Sequence, residues 1–299
     1  MQFRTLPSGS AFSLAQTCGP VAWGKGRWPS IDWLAGLLVW NGWENGLLVV
    51  RTFRQTEFGL ELGGGDPALD RDWLNRYLGF AAATPTFEVG PLVELQARFA
   101  GLRPYANGSV FEGLVTSIVG QSISVAGAAV TERKLSALFA DGVETQGRLF
   151  WPFPRTDQLA DASPDLIRQS GVTWRRAEAI VAAARAELAG ELPAAEEANH
   201  DPDEARRRLR ALPLVGPWTV ESTLLWGIGL ADAHPTGDIA LLRAARTILQ
   251  QPGLDLKSLD RLAEDWRPWR AWAARYLWTA LLGTADGPTP SSPLSDKLS

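Results

Sequence analysis

The stretch LPLVGPWTVES, Leu212–Ser222, decides how this sequence folds, because it joins two predicted helices through a short turn. The helix before it carries the basic run EARRRLR (Glu204–Arg210), and Pro217 suits the first turn of the helix after it. The first N–H groups of a helix have no partner within it, so such a turn can bind an anion such as a DNA phosphate. A phosphate contact would position the protein without reading base sequence. An ordinary proline-started helix also accounts for these residues without any ligand.

A second feature lies downstream, in HPTGDIALLRAARTILQ (His234–Gln250). Asp238 follows Pro-Thr-Gly and precedes a strongly amphipathic helix. Aspartate is among the best helix N-caps, so capping alone explains the residue. The alternative is a carboxylate at the mouth of a cleft, where it could stabilise positive charge on a sugar or activate water. The residues themselves leave both roles open.

Secondary-structure patterns divide the chain in two. Apolar, partly alternating runs separated by Gly, Pro and Asn turns predict strands at 12–18, 32–40, 46–53 and 58–64. A helix is predicted from Asp66, with Pro67 in its first turn. After ATPTFEVGP (Ala83–Pro91) the periodicity is helical. It predicts helices at 91–101, 109–121, 124–140, 164–170, 174–190, 202–211, 217–228, 238–250, 258–265 and 269–282.

Composition narrows the class of protein. The 299 residues are 45% hydrophobic and 21% charged, and the net charge of −4 argues against a general polyanion binder, although arginines are clustered locally. One cysteine, Cys18, cannot form an internal disulfide or hold an iron–sulfur cluster. No signal-peptide pattern and no apolar run long enough for a bilayer is present. We expect a soluble, cytoplasmic, nucleoid-associated protein that contacts no membrane.

Four segments together resemble one known family. LPLVGPWTVES and HPTGDIALLRA look like the helix-hairpin-helix and following Gly/Pro-then-Asp signature of base-excision DNA glycosylases. FEGLVTSIVGQSISVAGA (Phe111–Ala128) and WRPWRAWAARYLW (Trp266–Trp278) are similar to segments of the AlkA-like, 3-methyladenine DNA glycosylase II branch. The resemblance covers roughly residues 85–285. It implies an α+β fold: a two-lobed, mainly helical glycosylase domain at 89–285, a small N-terminal antiparallel sheet domain at 1–88, and a disordered tail at 286–299.

The resemblance assigns chemistry to individual residues. Asp238 is implied to be the catalytic carboxylate, which stabilises an oxocarbenium-like sugar and helps water attack C1′. Trp218 occupies the position of the lysine that forms a Schiff base in bifunctional members, so no abasic-site lyase activity is expected. Trp218 and Trp278 could form walls of a base pocket suited to a cationic alkylated purine, although core packing also explains each tryptophan. Ser222, where an aromatic is frequent, and Phe111 complete the predicted pocket.

The same resemblance implies the DNA contacts. The turn at Gln121–Ser122 is expected to enter the duplex when the base flips out. Ser122 is small for a wedge, so Ile123 is the alternative. The amides of Leu214, Gly216 and Thr219 would face a phosphate. The carbonyls of Arg210, Leu212 and Val215 would bind a monovalent cation, Na⁺ or K⁺, while no cofactor is required.

Two departures from the family pattern stand out. Leu214 replaces the usual glycine, and a leucine is strained if that position needs a positive φ. Gly237 precedes Asp238 where a second carboxylate can occur, which with Ser222 indicates a roomier and less acidic pocket. Substrate range is therefore open.

Three functional hypotheses remain from the sequence. The first is a monomeric, monofunctional glycosylase that removes alkylated purines of the 3-methyladenine type from damaged double-stranded DNA. The second is an 8-oxoguanine-type glycosylase with lyase activity, which FSLAQTCGPVAW (Phe12–Trp23) faintly suggests and which the missing lysine at Trp218 disfavours. The third is a non-catalytic DNA-binding module that uses only the hairpin. Asp238 discriminates against the third, because binding alone needs no carboxylate beside phosphates.

Overall fold

The N-terminal part forms a five-stranded antiparallel sheet. The computed structural model describes residues 3–7 and 12–288. The strands are β1 (Arg4–Leu6), β2 (Ile31–Leu34), β3 (Leu37–Glu44), β4 (Leu47–Thr56) and β5 (Gly59–Gly63), in the spatial order β1-β5-β4-β3-β2. Two-residue turns at Ala35-Gly36 and Asn45-Gly46 have positive φ at both positions, as tight hairpins between twisted strands require. The predicted strand at 32–40 is thus two strands joined by the first of these turns.

One strand prediction is wrong. Residues 12–18 form a helix, α1 (Leu14–Thr17), which is followed by α2 (Gly19–Trp23). The Ser13 side chain caps α1 by accepting a hydrogen bond from the Gln16 amide. Leu14, Cys18 and Val21 are buried at a spacing of four and three residues, which is helical rather than alternating. Burial on one helical face and the serine cap therefore favour a helix over a strand in this segment.

An aromatic cluster attaches helix α3 (Asp70–Leu78) to the sheet. A 3-10 turn (Pro67–Leu69) precedes this helix, and the Asp66 side chain caps that turn. Trp73 stacks on Phe53 at 4.2 Å between ring centroids and on Tyr77 at 4.5 Å, and it meets Trp40 edge-on at 5.6 Å. Several of the fourteen tryptophans are thus core residues, as the large apolar area of the side chain favours.

The remainder of the described chain is helical apart from a small hairpin. Helices run at α4 (Pro91–Arg98), α5 (Val110–Gly120), α6 (Val125–Ala137), α7 (Thr156–Asp161), α8 (Pro164–Arg168), α9 (Trp174–Leu188), α10 (Ala195–His200), α11 (Pro202–Arg210), α12 (Pro217–Ile228), α13 (Ile239–Ile248), α14 (Leu256–Glu264) and α15 (Arg270–Leu282). Strands β6 (Val143–Thr145) and β7 (Arg148–Phe150) form the hairpin. The ten helices predicted after residue 90 are all confirmed within a few residues, whereas α7, α10 and the hairpin were not anticipated.

Two hydrophobic cores lie side by side. The first contains buried residues between Phe12 and Leu78, and the second begins at Leu92 and includes most of the later helices. The interval between them contains the boundary predicted at 88/89. The α+β fold class is confirmed. Of the tail predicted at 286–299, residues 289–299 lie outside the described residues, while Asp286 accepts a hydrogen bond from the Trp33 indole.

Helices α5 and α12 cross at glycines, and this crossing positions the site. A Cβ atom on Gly113 would lie 2.4 Å from the Gly227 Cα atom, so only glycine permits this approach. The close crossing brings the C-terminal end of α5 and the N-terminal end of α12 to one side of the molecule. Among the described residues no single helix is long and apolar enough to cross a membrane; α5 and α6 meet that criterion only as a pair bent by 116°.

Candidate active site

Asp238 lies at the N-terminus of α13 and uses both carboxylate oxygens. Its Oδ1 accepts a hydrogen bond from the Leu241 amide at 2.7 Å, which is the capping contact. Its Oδ2 accepts one from the Trp218 indole Nε1 at 2.9 Å. Gly237, at φ +83°, makes the turn that brings the chain into the helix. Capping is therefore observed, and the indole contact fixes the carboxylate beside a predicted pocket wall.

A cavity of about 250 Å³ opens beside this carboxylate. Its lining includes Asp238, Trp218, Ser222, Trp278 and Ile123, each of which the sequence predicts as a site residue. These residues come from α12, α13, α15 and the turn before α6, so only tertiary packing brings them together. Phe111 is not part of this lining. It is buried in the helical core, edge-on to Phe153 at 6.2 Å between centroids.

Trp226 is a cavity residue that the sequence analysis missed. It stacks on Trp278 with 5.4 Å between ring centroids. The Arg275 guanidinium carbon lies 4.8 Å from the centroid of the Trp226 ring. Trp218, Ser222 and Trp226 follow one another at four-residue spacing on α12, which places them on one face of the helix. That spacing was the available signal. Burial lowers the pKa of the Arg275 guanidinium to about 9.

Polar side chains from α5, α6 and the segment before α5 also line the cavity. Glu132 on α6 accepts a hydrogen bond from the Thr116 hydroxyl at 2.9 Å. The Asn107 amide nitrogen donates to the same hydroxyl at 3.3 Å, and Tyr105 lines the cavity beside them. Burial raises the pKa of the Glu132 carboxyl to about 7, and burial together with Glu132 raises that of Glu112 to about 8. No sequence signal distinguished these residues from core positions.

The Gln121–Ile123 turn is tied to the hairpin. The Gln121 side-chain amide donates to the Leu214 carbonyl and to the Thr219 hydroxyl, each at 3.0 Å. Gln121 therefore braces two loops in the free protein. Ser122 has φ +58°, and Ile123 beside it is 42% exposed at the cavity. Of the two wedge candidates, Ile123 is the one with a large exposed apolar side chain.

The hairpin between α11 and α12 has a positive φ at position 214, where the sequence has leucine in place of the usual glycine. Leu214 has φ +64° and is 40% exposed, so a leucine does occupy a left-handed position. Among the described residues, the amides of Leu214, Gly216 and Thr219 donate no hydrogen bond to the protein. The carbonyls of Arg210, Leu212 and Val215 likewise accept none within the described residues. Both sets of groups thus have no hydrogen-bond partner among the described residues.

Most of the basic run on α11 is already paired. Arg206 contacts Glu221 and Asp203, Arg207 contacts Glu204, and Arg208 contacts Glu197. These ion pairs reduce the positive charge that α11 offers to an external phosphate. Three of the four arginines of this run are thus engaged within the protein.

Proteins of known name are similar to this chain in sequence. The DNA-3-methyladenine glycosylase of Bacillus subtilis is 28% identical over 205 residues, which cover 66% of this chain and 67% of that protein. DNA-3-methyladenine glycosylase 2 of Escherichia coli is 30% identical over 194 residues, covering 65% of this chain and 66% of that one. The alignments thus span about two thirds of each relative. The chain belongs to the helix-hairpin-helix DNA glycosylase superfamily, in its AlkA-like branch.

The fold of this AlkA-like chain agrees with a solved structure along nearly its whole length. A 3-methyladenine DNA-glycosylase from Archaeoglobus fulgidus superposes with a TM-score of 0.73 at 24% identity, covering 93% of this chain and 97% of that one. No family model matches the sequence. The coverage includes the N-terminal sheet, so the AlkA-like chain shares its two-part architecture with that structure.

Proposed function

We propose that this chain is a monofunctional DNA glycosylase of base excision repair, which hydrolyses the N-glycosidic bond of alkylated purines of the 3-methyladenine type. The observation that carries the proposal is the Asp238 carboxylate beside a cavity walled by Trp218, Trp226 and Trp278. The names of the similar proteins support the substrate class. The product is an abasic site in an intact DNA strand.

The chemistry needs little acid catalysis. An alkylated purine that carries positive charge leaves with the electron pair of the glycosidic bond and becomes neutral. The sugar that remains is oxocarbenium-like, and the negative charge of Asp238 stabilises it. A water molecule then attacks C1′ and loses a proton, which the same carboxylate can accept. The indole contact from Trp218 keeps the Asp238 carboxylate oriented, while electron-rich indole faces favour a cationic base before it leaves.

The composition of the cavity supports hydrolysis without strand cleavage. A lyase step requires an amine that attacks C1′ and forms a Schiff base. Trp218 stands at the lysine position, and among the described residues that line the cavity there is no lysine. Incubation with 8-oxoguanine duplex and borohydride tests this directly. A covalently trapped complex would contradict the monofunctional mechanism and favour the lyase alternative.

The hairpin supplies the proposed grip on DNA. Unpartnered amides of Leu214, Gly216 and Thr219 are suited to one phosphate at the N-terminus of α12. Unpartnered carbonyls of Arg210, Leu212 and Val215 are suited to Na⁺ or K⁺, whose charge would reinforce that contact. The exposed Ile123 is proposed to fill the gap that the flipped nucleotide leaves. We propose that the protein acts in this way as a monomer on damaged double-stranded DNA.

Substitution of Asp238 tests the proposed reaction. Asp238→Asn keeps a side-chain oxygen for capping and removes the charge, so base release from 3-methyladenine DNA should fall at least about 100-fold. Duplex binding, measured by fluorescence anisotropy, should stay within about threefold of wild type, because the hairpin contacts are untouched. Base release at the wild-type rate in the variant would exclude Asp238 as the catalytic carboxylate.

A further inference from the structure

Glu132 is a buried acidic side chain of the cavity that the proposed reaction does not use. It is 4% exposed, projects from α6 and lines the same cavity as Asp238. Its Oε2 accepts the hydrogen bond from Thr116, whose hydroxyl in turn accepts one from Asn107. Two side chains thus hold this carboxyl group in place, Thr116 directly and Asn107 through Thr116. Buried carboxyl groups without a positively charged partner are rare, so this one needs an explanation.

Several polar atoms around Glu132 have no partner. Among the described residues, none donates a hydrogen bond to its Oε1; the hydrogen bond from Thr116 is made to Oε2. The hydroxyl oxygens of Ser117 and Ser222, two further cavity residues, are buried without any hydrogen bond. Native proteins leave few buried polar groups unsatisfied, and the exceptions call for a ligand or a bound water. A purine edge carries the N–H and ring-nitrogen groups that could satisfy them.

The charged side chains that line the cavity are acidic. Among the described residues that line it, Glu132 and Asp238 are acidic and none is Arg, Lys or His. Arg275 lies behind Trp226, where it donates to the Leu225 carbonyl. A positive partner for Glu132 inside the cavity must therefore come from the ligand. Indole walls and an acidic side chain together suit a flat organic cation.

We propose that Glu132 recognises the flipped base and selects for positively charged N-alkylpurines over neutral damaged bases. In this arrangement Oε1 accepts a hydrogen bond from an N–H group on the edge of the base, and the carboxylate pairs with the positive charge of the ring. Thr116 positions the carboxylate through Oε2. Asp238 acts at the sugar and Glu132 at the base, so the two carboxylates have separate roles. The inference rests on the proposed glycosylase function.

Glu132→Gln tests this selectivity in the full-length protein. Single-turnover release of cationic 3-methyladenine and of neutral hypoxanthine is measured from otherwise identical duplexes at pH 8. Charged hydrogen bonds are strong, so the variant should lose about 10-fold or more on 3-methyladenine and less than about threefold on hypoxanthine. Glutamine preserves the shape and can still accept from Thr116, so both measurements use a folded protein. Equal losses on both bases would overturn the proposal.

Glu112→Gln is the matched control. It removes a carboxyl group from the neighbouring helix α5, and Glu112 is not among the cavity-lining residues. The ratio of the two release rates should remain that of wild type at pH 8. A Glu112 variant that loses selectivity as strongly as the Glu132 variant would show a general electrostatic effect and contradict base recognition by Glu132.

A binding measurement separates this inference from the proposed function. Quenching of tryptophan fluorescence at pH 7.5 compares 1-methyladenosine, a cationic nucleoside, with neutral adenosine. Wild type should prefer the cation by at least about fivefold, and Glu132→Gln should abolish the preference. If wild type releases no damaged base yet shows this preference, the glycosylase function fails and recognition by Glu132 stands. If it releases bases and the variant keeps the preference, only recognition by Glu132 fails.

The pH dependence of the selectivity ratio gives a further readout. Glu132 faces Glu112 and Thr116 from α5 and Tyr105 from the segment before it, with Asp238 across the cavity. Burial raises the pKa of Glu132 to about 7, so the preference for the cation should decline as pH falls below 7. Asp238 acts on both substrates, so its contribution cancels in the ratio. A wild-type ratio that stays constant between pH 5.5 and 8 would contradict the proposal.

Discussion

At the residue scale, Leu214 shows how a functional turn tolerates a locally unfavourable residue. Its φ of +64° belongs to the left-handed region, where a Cβ atom crowds the following carbonyl. A residue of another loop nonetheless stabilises this position, because the Leu214 carbonyl accepts a hydrogen bond from the Gln121 side-chain amide. The departure from glycine that the sequence shows is therefore accommodated by a brace from another loop rather than by a different backbone.

Leu214→Gly should change the free energy of unfolding by less than about 0.5 kcal/mol, because relief of the left-handed strain offsets the lost contacts and the greater chain entropy. Leu188→Gly is the matched control: Leu188 is 60% exposed at the end of α9, where φ is ordinary, and that variant should lose about 0.5–1 kcal/mol. Urea unfolding measures both. An equal loss in the two variants would show that Leu214 is unstrained.

At the element scale, the crossing of α5 and α12 holds the site together. Gly113 and Gly227 let the two backbones meet, and a Cβ on Gly227 would lie 2.7 Å from the Ser109 carbonyl oxygen. The α5 helix ends at the Gln121 turn and α12 begins at the hairpin. A small shift between these two helices would therefore move both proposed DNA contacts and the cavity between them.

Gly113→Ala should lower the free energy of unfolding by about 1–3 kcal/mol, although alanine is the better helix former. Gly120 in the same helix is the matched control, because the nearest atom to a Cβ there is 3.9 Å away. Gly120→Ala should instead raise stability by up to about 1 kcal/mol. Thermal and urea unfolding of both proteins give the comparison. Stabilisation by Gly113→Ala would exclude a tight glycine crossing.

At the scale of the whole molecule, the two cores are joined by hydrogen bonds that no sequence pattern predicts. The Trp23 indole donates to the Gly283 carbonyl at 3.0 Å, and the Ser13 amide donates to the Gly101 carbonyl at 2.7 Å. The Trp151 amide donates to the Pro29 carbonyl at 2.9 Å. Trp23, Trp28 and Ile31 from the N-terminal part line the cavity. That part therefore contributes to the site as well as to stability.

The pH dependence of stability should reflect Glu112 and Glu132. Their pKa values are raised, to about 8 for Glu112 and about 7 for Glu132, so the folded state binds more protons than the unfolded state between about pH 4.5 and 8. Stability should accordingly fall as pH rises through that interval. Glu112→Gln should be more stable than wild type by about 1–3 kcal/mol at pH 8, and by much less at pH 5. Urea unfolding at both pH values checks this, and an equal difference at the two values would contradict it.

The local features of this protein follow from its sequence. Prolines at helix starts, side-chain caps and apolar periodicity act within a few residues, so ten of the later helices, the turn between α11 and α12 and the place of Asp238 at the start of α13 could be predicted. The segment at 12–18 was misjudged because its apolar content resembled a strand, whereas burial of Leu14 and Cys18 on one face favours a helix.

Only the tertiary structure decided which side chains share the cavity. Asp238, Trp278 and Glu132 lie far apart in the chain and on three different helices, and their meeting depends on close packing such as the Gly113–Gly227 crossing. The same packing places Phe111 in the core and brings Trp226 and Glu132 to the cavity. Local sequence sets the elements because caps and periodicity are short-range. The base-facing chemistry is set by long-range burial, which no short stretch of sequence specifies.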